Sequence, residues 1–90
     1  MAWDSYLKKN QDRFVGELRS FISIPSVSAE DEHFEDVVKA GEWVASKLQS
    51  IGISNARLMK TQTHPVVYGD WLHAGENKPT ILIYGHFDVQ

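Results

Sequence analysis

The sequence predicts an α/β segment of two helices followed by about three strands, and three observations carry that reading. Apolar residues recur at helical spacing through the first half of the chain, with charged residues filling the positions between them. After Gly52 the pattern changes to short extended runs separated by polar or Gly/Pro-containing turns. The last run, Thr80-Ile81-Leu82-Ile83-Tyr84, is apolar on both sides of its alternation, which is the composition of a strand covered on both faces. Two helices and three strands cannot supply both covering layers. The 90 residues are therefore expected to be part of a larger domain built on a mixed central sheet.

The first helix is expected over residues 3–24. Leu7, Phe14, Leu18, Phe21 and Ile22 form its stripe, while Lys8, Lys9, Asp12, Arg13, Glu17 and Arg19 occupy much of the remainder, so one face should be buried. Pro25 closes it, because proline disfavours helical geometry in the residue before it and has no N–H to donate. Ile24-Pro25-Ser26-Val27-Ser28 then reads as a loop. Ser28 is suited to cap a second helix, with Asp31 as an acidic variant of the capping box three residues on. The stripe of that helix is Phe34, Val37, Val38, Gly41, Val44, Ala45, Leu48 and Ile51, and Gly52 is placed to end it in the left-handed conformation. Gly41 costs helix propensity inside the stripe, which argues for close approach of a neighbouring element. Glu32, Glu35, Asp36, Lys39, Glu42 and Lys47 form a solvated face. Strands are expected at 56–61, 66–72 and 80–84, with residues 73–79 as a hairpin loop between the last two.

Composition narrows the function. A hydrophobic content of 42% and a charged content of 23% describe a globular protein with a thin core, and a net charge of −3 lacks the clustered Lys and Arg that phosphate neutralisation needs. Nucleic acid is thus disfavoured as a partner. There is no cysteine, so any metal would be held by His and carboxylates. No run approaches the roughly 18 apolar residues of a membrane span, and the opening Met1-Ala2-Trp3-Asp4-Ser5-Tyr6 is unlike a signal peptide, giving a cytoplasmic expectation. The Trp and Tyr residues sit at helical and strand spacing and read as core or edge packing.

The chemistry concentrates at the far end, in Gly85-His86-Phe87-Asp88-Val89-Gln90. Ligands gather beyond the carboxyl ends of strands in open α/β sheets, and residues two apart in extended backbone point to the same side. A neutral imidazole binds zinc through one ring nitrogen and usually donates its other N–H to a carboxylate, so Asp88 is placed to orient His86. The plainer alternative is a strand-end His bonded to an Asp as a turn device. A Ser-His-Asp triad lacks support, since no Gly-x-Ser-x-Gly occurs. His33, His64 and His73 read as solvated surface or loop imidazoles, and Asp70 is not singled out.

The string from Ile81 to Gln90 resembles the first metal-site motif of the M20 metallopeptidase family, an apolar strand followed by Gly-His-x-Asp-Val. The opening Phe21-Ile22-Ser23-Ile24-Pro25-Ser26-Val27-Ser28 and the helix ending at Leu48-Gln49-Ser50-Ile51-Gly52 are similar to the family's usual start. His64-Pro65-Val66-Val67-Tyr68-Gly69-Asp70-Trp71 looks most like the branch of cytosolic nonspecific and carnosine-type dipeptidases. The resemblance implies that residues 1–90 are the N-terminal part of a zinc-peptidase-like catalytic domain. His86 would be a ligand to one of two metal ions, usually Zn2+ and in some members Mn2+, and Asp88 would carry the catalytic role assigned to the motif. It implies a dipeptide or small amide as substrate, with amino-acid deacylase or desuccinylase as the alternative within the family, and a homodimer for the full-length protein. The family's bridging Asp, Glu-Glu pair, further acidic ligand, late His and lid domain have no counterpart in these residues, so the segment alone is expected to be inactive. A different class of function, a non-catalytic truncated paralogue that associates through an exposed strand, is the competing expectation.

Overall fold

Helix α1 forms over Ala2–Ile22 of the computed structural model, which describes residues 2–89. Its last turn is closed by Ser23 N–H to Arg19 O at 3.1 Å and Ile24 N–H to Phe21 O at 3.2 Å, and Pro25 then provides the stop. The expected buried face does not form: no residue of α1 is fully buried, and Leu7, Leu18 and Ile22 stand about half exposed. Two contacts tie α1 to the second helix, Phe21 stacked on Trp43 with ring centroids 4.9 Å apart and Glu17 paired with Lys47 at 3.1 Å. Both lie towards the C-terminal half of α1. The rest of the stripe has no layer of the described chain lying over it.

Helix α2 runs Phe34–Ser50 after a single 3₁₀ turn, Asp31–His33. Ser28 does not cap it, and neither residue preceding these turns makes a side-chain cap bond; the Ser28 hydroxyl is committed to the site described below. Glu35 and Asp36 in the first turn complement the helix dipole instead. The C-terminus is as expected. Gly52, at φ +89°, donates to Gln49 O at 3.1 Å, and Ile53 donates to Leu48 O at 3.0 Å, the paired bonds of a Schellman ending. Val37, Ala40, Gly41 and Ala45 form the buried face, small residues that let the next elements approach closely.

Those elements are strands β1, Ser54–Met59, and β2, Val66–Asp70, paired antiparallel with Arg57 opposite Tyr68 and Met59 opposite Val66. A bulge between Ser54 and Arg57 holds Asn55 at φ +58°, and the Asn55 amide donates to both Asp70 carboxylate oxygens, at 3.1 and 3.3 Å. The hairpin lies on α2 and buries Ala56. No third strand forms among the described residues. Residues 80–84 carry no strand pairing and are open to solvent, Leu82 being 93% exposed, so 73–79 is not a hairpin loop and the sheet among the described residues is two-stranded and antiparallel. A central strand requires backbone partners along its edges and cover on both faces, and neither is present alongside it here. The α/β class stands, with two helices and two of the three expected strands.

Gly69 shows how tightly the hairpin is set. A Cβ there would lie 2.7 Å from Ile53 Cγ2, a methyl on a β-branched side chain whose stiff χ1 leaves it few ways to yield. Gly69→Ala is expected to destabilise the protein by about 1–3 kcal/mol, the usual cost of overpacking, read as a lower denaturation midpoint. An unchanged midpoint would mean that the hairpin and the Ile53 turn shift freely.

Candidate metal site

The motif reaches its position through side chains other than those of a strand ladder. Phe87 points to α2, where its Cζ is 3.4 Å from the place a Cβ on Gly41 would occupy, with Leu58 of β1 at 3.2 Å from the same point. The close approach expected of Gly41 is thus made by two elements. On the other side, Ser26-Val27-Ser28 lies parallel to Phe87-Asp88-Val89: Val27 and Val89 form an isolated parallel bridge, and Val89 N–H donates to Ser26 O at 2.9 Å. Ser26 is buried, and its hydroxyl reaches Phe87 O at 3.5 Å.

That docking orders the two expected site residues. His86 Nδ1 faces Asp88 Oδ1 at 3.5 Å, long for a hydrogen bond, and the His86 side chain is 76% exposed. Tyr84 packs against the imidazole in an edge-on arrangement with centroids 5.7 Å apart. The ring's second nitrogen, Nε2, has no protein partner among the described residues. Asp88 is less exposed, and Ser28 Oγ donates to its Oδ2 at 2.5 Å. The Ser28 hydroxyl holds the Asp88 carboxyl below the usual carboxylate range, with a backbone hydrogen bond and His86 adding to the effect against partial desolvation. Asp88 is therefore an anion at neutral pH. Gln90, the last residue of the motif, lies outside the described residues.

Two side chains that sequence reasoning did not assign to this region belong to it. Ser28 was expected to cap α2 and instead bonds across 60 residues to Asp88. His64, expected as a solvated loop residue, is half-buried: its Nε2–H donates to Ser28 O at 2.9 Å, its ring stacks on Phe34 at 5.4 Å, and its Nδ1 is buried without a partner among the described residues. A chain His86–Asp88–Ser28–His64 results. His73 stays on the surface near Ser54 and Trp71, and Asp70 serves Asn55 and Tyr68 and does not join His86.

As a metal-binding donor set, the motif offers one imidazole nitrogen with an anionic carboxylate behind it, which fits a single ligand position of a zinc-type centre. Glu30, Glu32 and His33 also bring ligand atoms within 4.8 Å of one another. They are exposed or half-exposed, and His33 Nδ1–H is already given to Asp36 at 2.8 Å, which raises the His33 pKa. No described helix is long and apolar enough to cross a membrane.

Acid should loosen the docking. The folded pKa of Asp88 is depressed, so its contribution is complete above the ordinary aspartate value and disappears as pH falls through the lowered one. The Val89 amide resonance is expected to move towards its unstructured position in that acid window, and Asp88→Asn should remove this step. Persistence of the same transition in the variant would assign it to another group.

Comparison with known proteins finds dipeptidases among the relatives of the chain. It is 32% identical over 83 residues to a cysteinylglycine-S-conjugate dipeptidase of Corynebacterium striatum, covering 92% of this chain and 18% of that protein. It is 32% identical over 93 residues to a Cys-Gly metallodipeptidase of Schizosaccharomyces pombe, covering 93% and 19%. A Cys-Gly metallodipeptidase of Candida albicans aligns over 96 residues at 27% identity, covering 93% and 20%. The chain spans about a fifth of the length of the curated relatives it matches. No family model and no solved structure matches it. The resemblance to the dipeptidase branch of the M20 family is borne out by these relatives.

Proposed function

We propose that this chain is the opening segment of an M20-type metallodipeptidase, in which His86 binds one ion of a two-metal centre and Asp88 orients it. The observation that carries the reading is the pair itself: Nδ1 of His86 faces an anionic Asp88, which leaves Nε2 for a metal, on a chain related to dipeptidases along nearly its whole length. A bound pair of divalent ions, Zn2+ or in its place Mn2+, supplies a Lewis acid for an amide carbonyl and lowers the pKa of a water. His86 contributes one neutral nitrogen to that centre. Asp88 accepts the opposite N–H, fixes the tautomer and raises the basicity of the ring.

The substrate class follows from the relatives' names. Dipeptides of the Cys-Gly type are the first to try, with small N-acyl amino acids as the alternative within the family. A catalytic zinc typically takes about three protein ligands plus water, so His86 alone does not hold a working centre, and the general base and further ligands come from the rest of the full-length protein. That protein is read as a cytoplasmic homodimer whose net negative opening segment engages neither nucleic acid nor membrane.

The test uses the full-length protein that carries this segment. Cys-Gly hydrolysis is expected to require a divalent metal, and His86→Ala is expected to lower kcat/KM by at least about 100-fold, with metal content reduced by one ion per chain. Residues 1–90 alone should show no metal-dependent hydrolysis. Full activity of His86→Ala after chelation would overturn the reading.

A further inference from the structure

Among the described residues, Ser28 is the side chain from a distant part of the chain that hydrogen-bonds the motif's carboxylate. Its hydroxyl donates to Asp88 Oδ2 at 2.5 Å, which leaves Oδ1 as the oxygen turned to His86 Nδ1. A carboxylate free to rotate about its Cβ–Cγ bond would present either oxygen, or neither, to the imidazole. The bond to Ser28 removes that freedom. Ser28 is itself fixed, because its carbonyl accepts His64 Nε2–H at 2.9 Å and the preceding residues are bound to the motif by the Val27–Val89 bridge and by Ser26 O to Val89 N–H. The imidazole at the end of this hydrogen-bonded series, by contrast, is largely exposed, and among the described residues its side-chain contacts are Asp88 and the edge-on Tyr84 ring.

We infer that Ser28, seated by His64, is a positioning residue for the metal site: it locks the rotamer of Asp88 and through it the direction of His86 Nε2. The inference rests on the functional reading above and adds to it a residue on the Pro25-Ser26-Val27-Ser28 loop that touches neither metal nor substrate. A hydroxyl that serves only as a loop staple would support folding and leave metal affinity alone. A positioning hydroxyl changes affinity in the folded protein. Loss of an orienting partner of this kind weakens metal binding by roughly 10–100-fold.

The experiment is competition for Zn2+ against a chromophoric chelator, using the full-length metal-free protein and its Ser28→Ala, Ser28→Thr and His86→Ala variants. Thermal unfolding of each metal-free form is recorded beside it. Ser28→Ala is expected to bind Zn2+ at least about 10-fold more weakly while its metal-free unfolding temperature stays near that of the parent. Ser28→Thr keeps the donor and is expected to restore affinity to within about 3-fold, a partial recovery that a packing defect would not give. Parental affinity in Ser28→Ala, or equal loss in the alanine and threonine variants, overturns the inference. Should Ser28→Ala not fold, the threonine variant together with His64→Ala, which frees the Ser28 carbonyl, decides it: a parental threonine form and a weakened His64→Ala form support the role, and any other combination overturns it. Failure of the functional reading is distinguishable, since then His86→Ala itself would bind Zn2+ as the parent does.

Discussion

At Gly41 helix α2 carries no side chain, and two segments far apart in sequence use the space, Leu58 from β1 and Phe87 from the His-x-Asp motif. The rest of the arrangement follows from that approach. A glycine in mid-helix costs about 1 kcal/mol relative to alanine, so its presence needs a return, and the return is contact between α2 and both neighbours at van der Waals distance. Phe87 anchors the motif against the core, and with Phe87 turned inwards, His86 and Asp88 on either side of it alternate outwards towards the Ser26–Ser28 loop and solvent. The site is thereby placed by one half-buried aromatic ring and one backbone bridge, without a continuous strand ladder.

Exposure in the rest of the chain sets the scale of what these residues leave unburied. Ile81, Leu82 and Ile83 are each more than three-quarters exposed, and burying side chains of this size is worth roughly 1.5–3 kcal/mol apiece. The three together amount to several kcal/mol, a large part of the roughly 5–15 kcal/mol net stability of an ordinary domain. The stripe of α1, with a shallow groove lined by Leu7, Phe14, Val15 and Leu18, adds to that reserve. The small core of Val37, Ala40, Ala45 and Ala56 does not offset such exposure.

What could be read from sequence was local. The extent of α1, the C-terminal end of α2 at the left-handed Gly52, the demand for close approach at Gly41 and the pairing of His86 with Asp88 all depend on residues within a few positions of one another, where periodicity and backbone preference dominate. The errors were all long-range. Ser28 had two possible acceptors, the backbone at the start of α2 and a carboxylate 60 residues away, and nothing in the local pattern distinguishes an N-cap serine from one that bonds across the fold. His64 likewise looks like a loop residue until its ring is seen between Phe34 and the Ser28 carbonyl. The strand expected at 80–84 failed for a related reason, because β composition describes a preference for pairing and does not provide the partner.

The asymmetry between the two site residues has a physical sense. Asp88 is partly buried, hydrogen-bonded and held ionised, whereas His86 is exposed and contacts its carboxylate only at 3.5 Å. In a site assembled from distant parts of a protein, the groups that orient a ligand can be set by the segment that carries them, and the ligand's contact with them can tighten when the remaining donors arrive. A carboxylate locked by Ser28 loses little further entropy when the imidazole closes on it, so shortening the His86–Asp88 contact to hydrogen-bond length costs chiefly the motion of one exposed ring. On the proposed reading the segment would contribute a preset orientation to a centre that other donors complete.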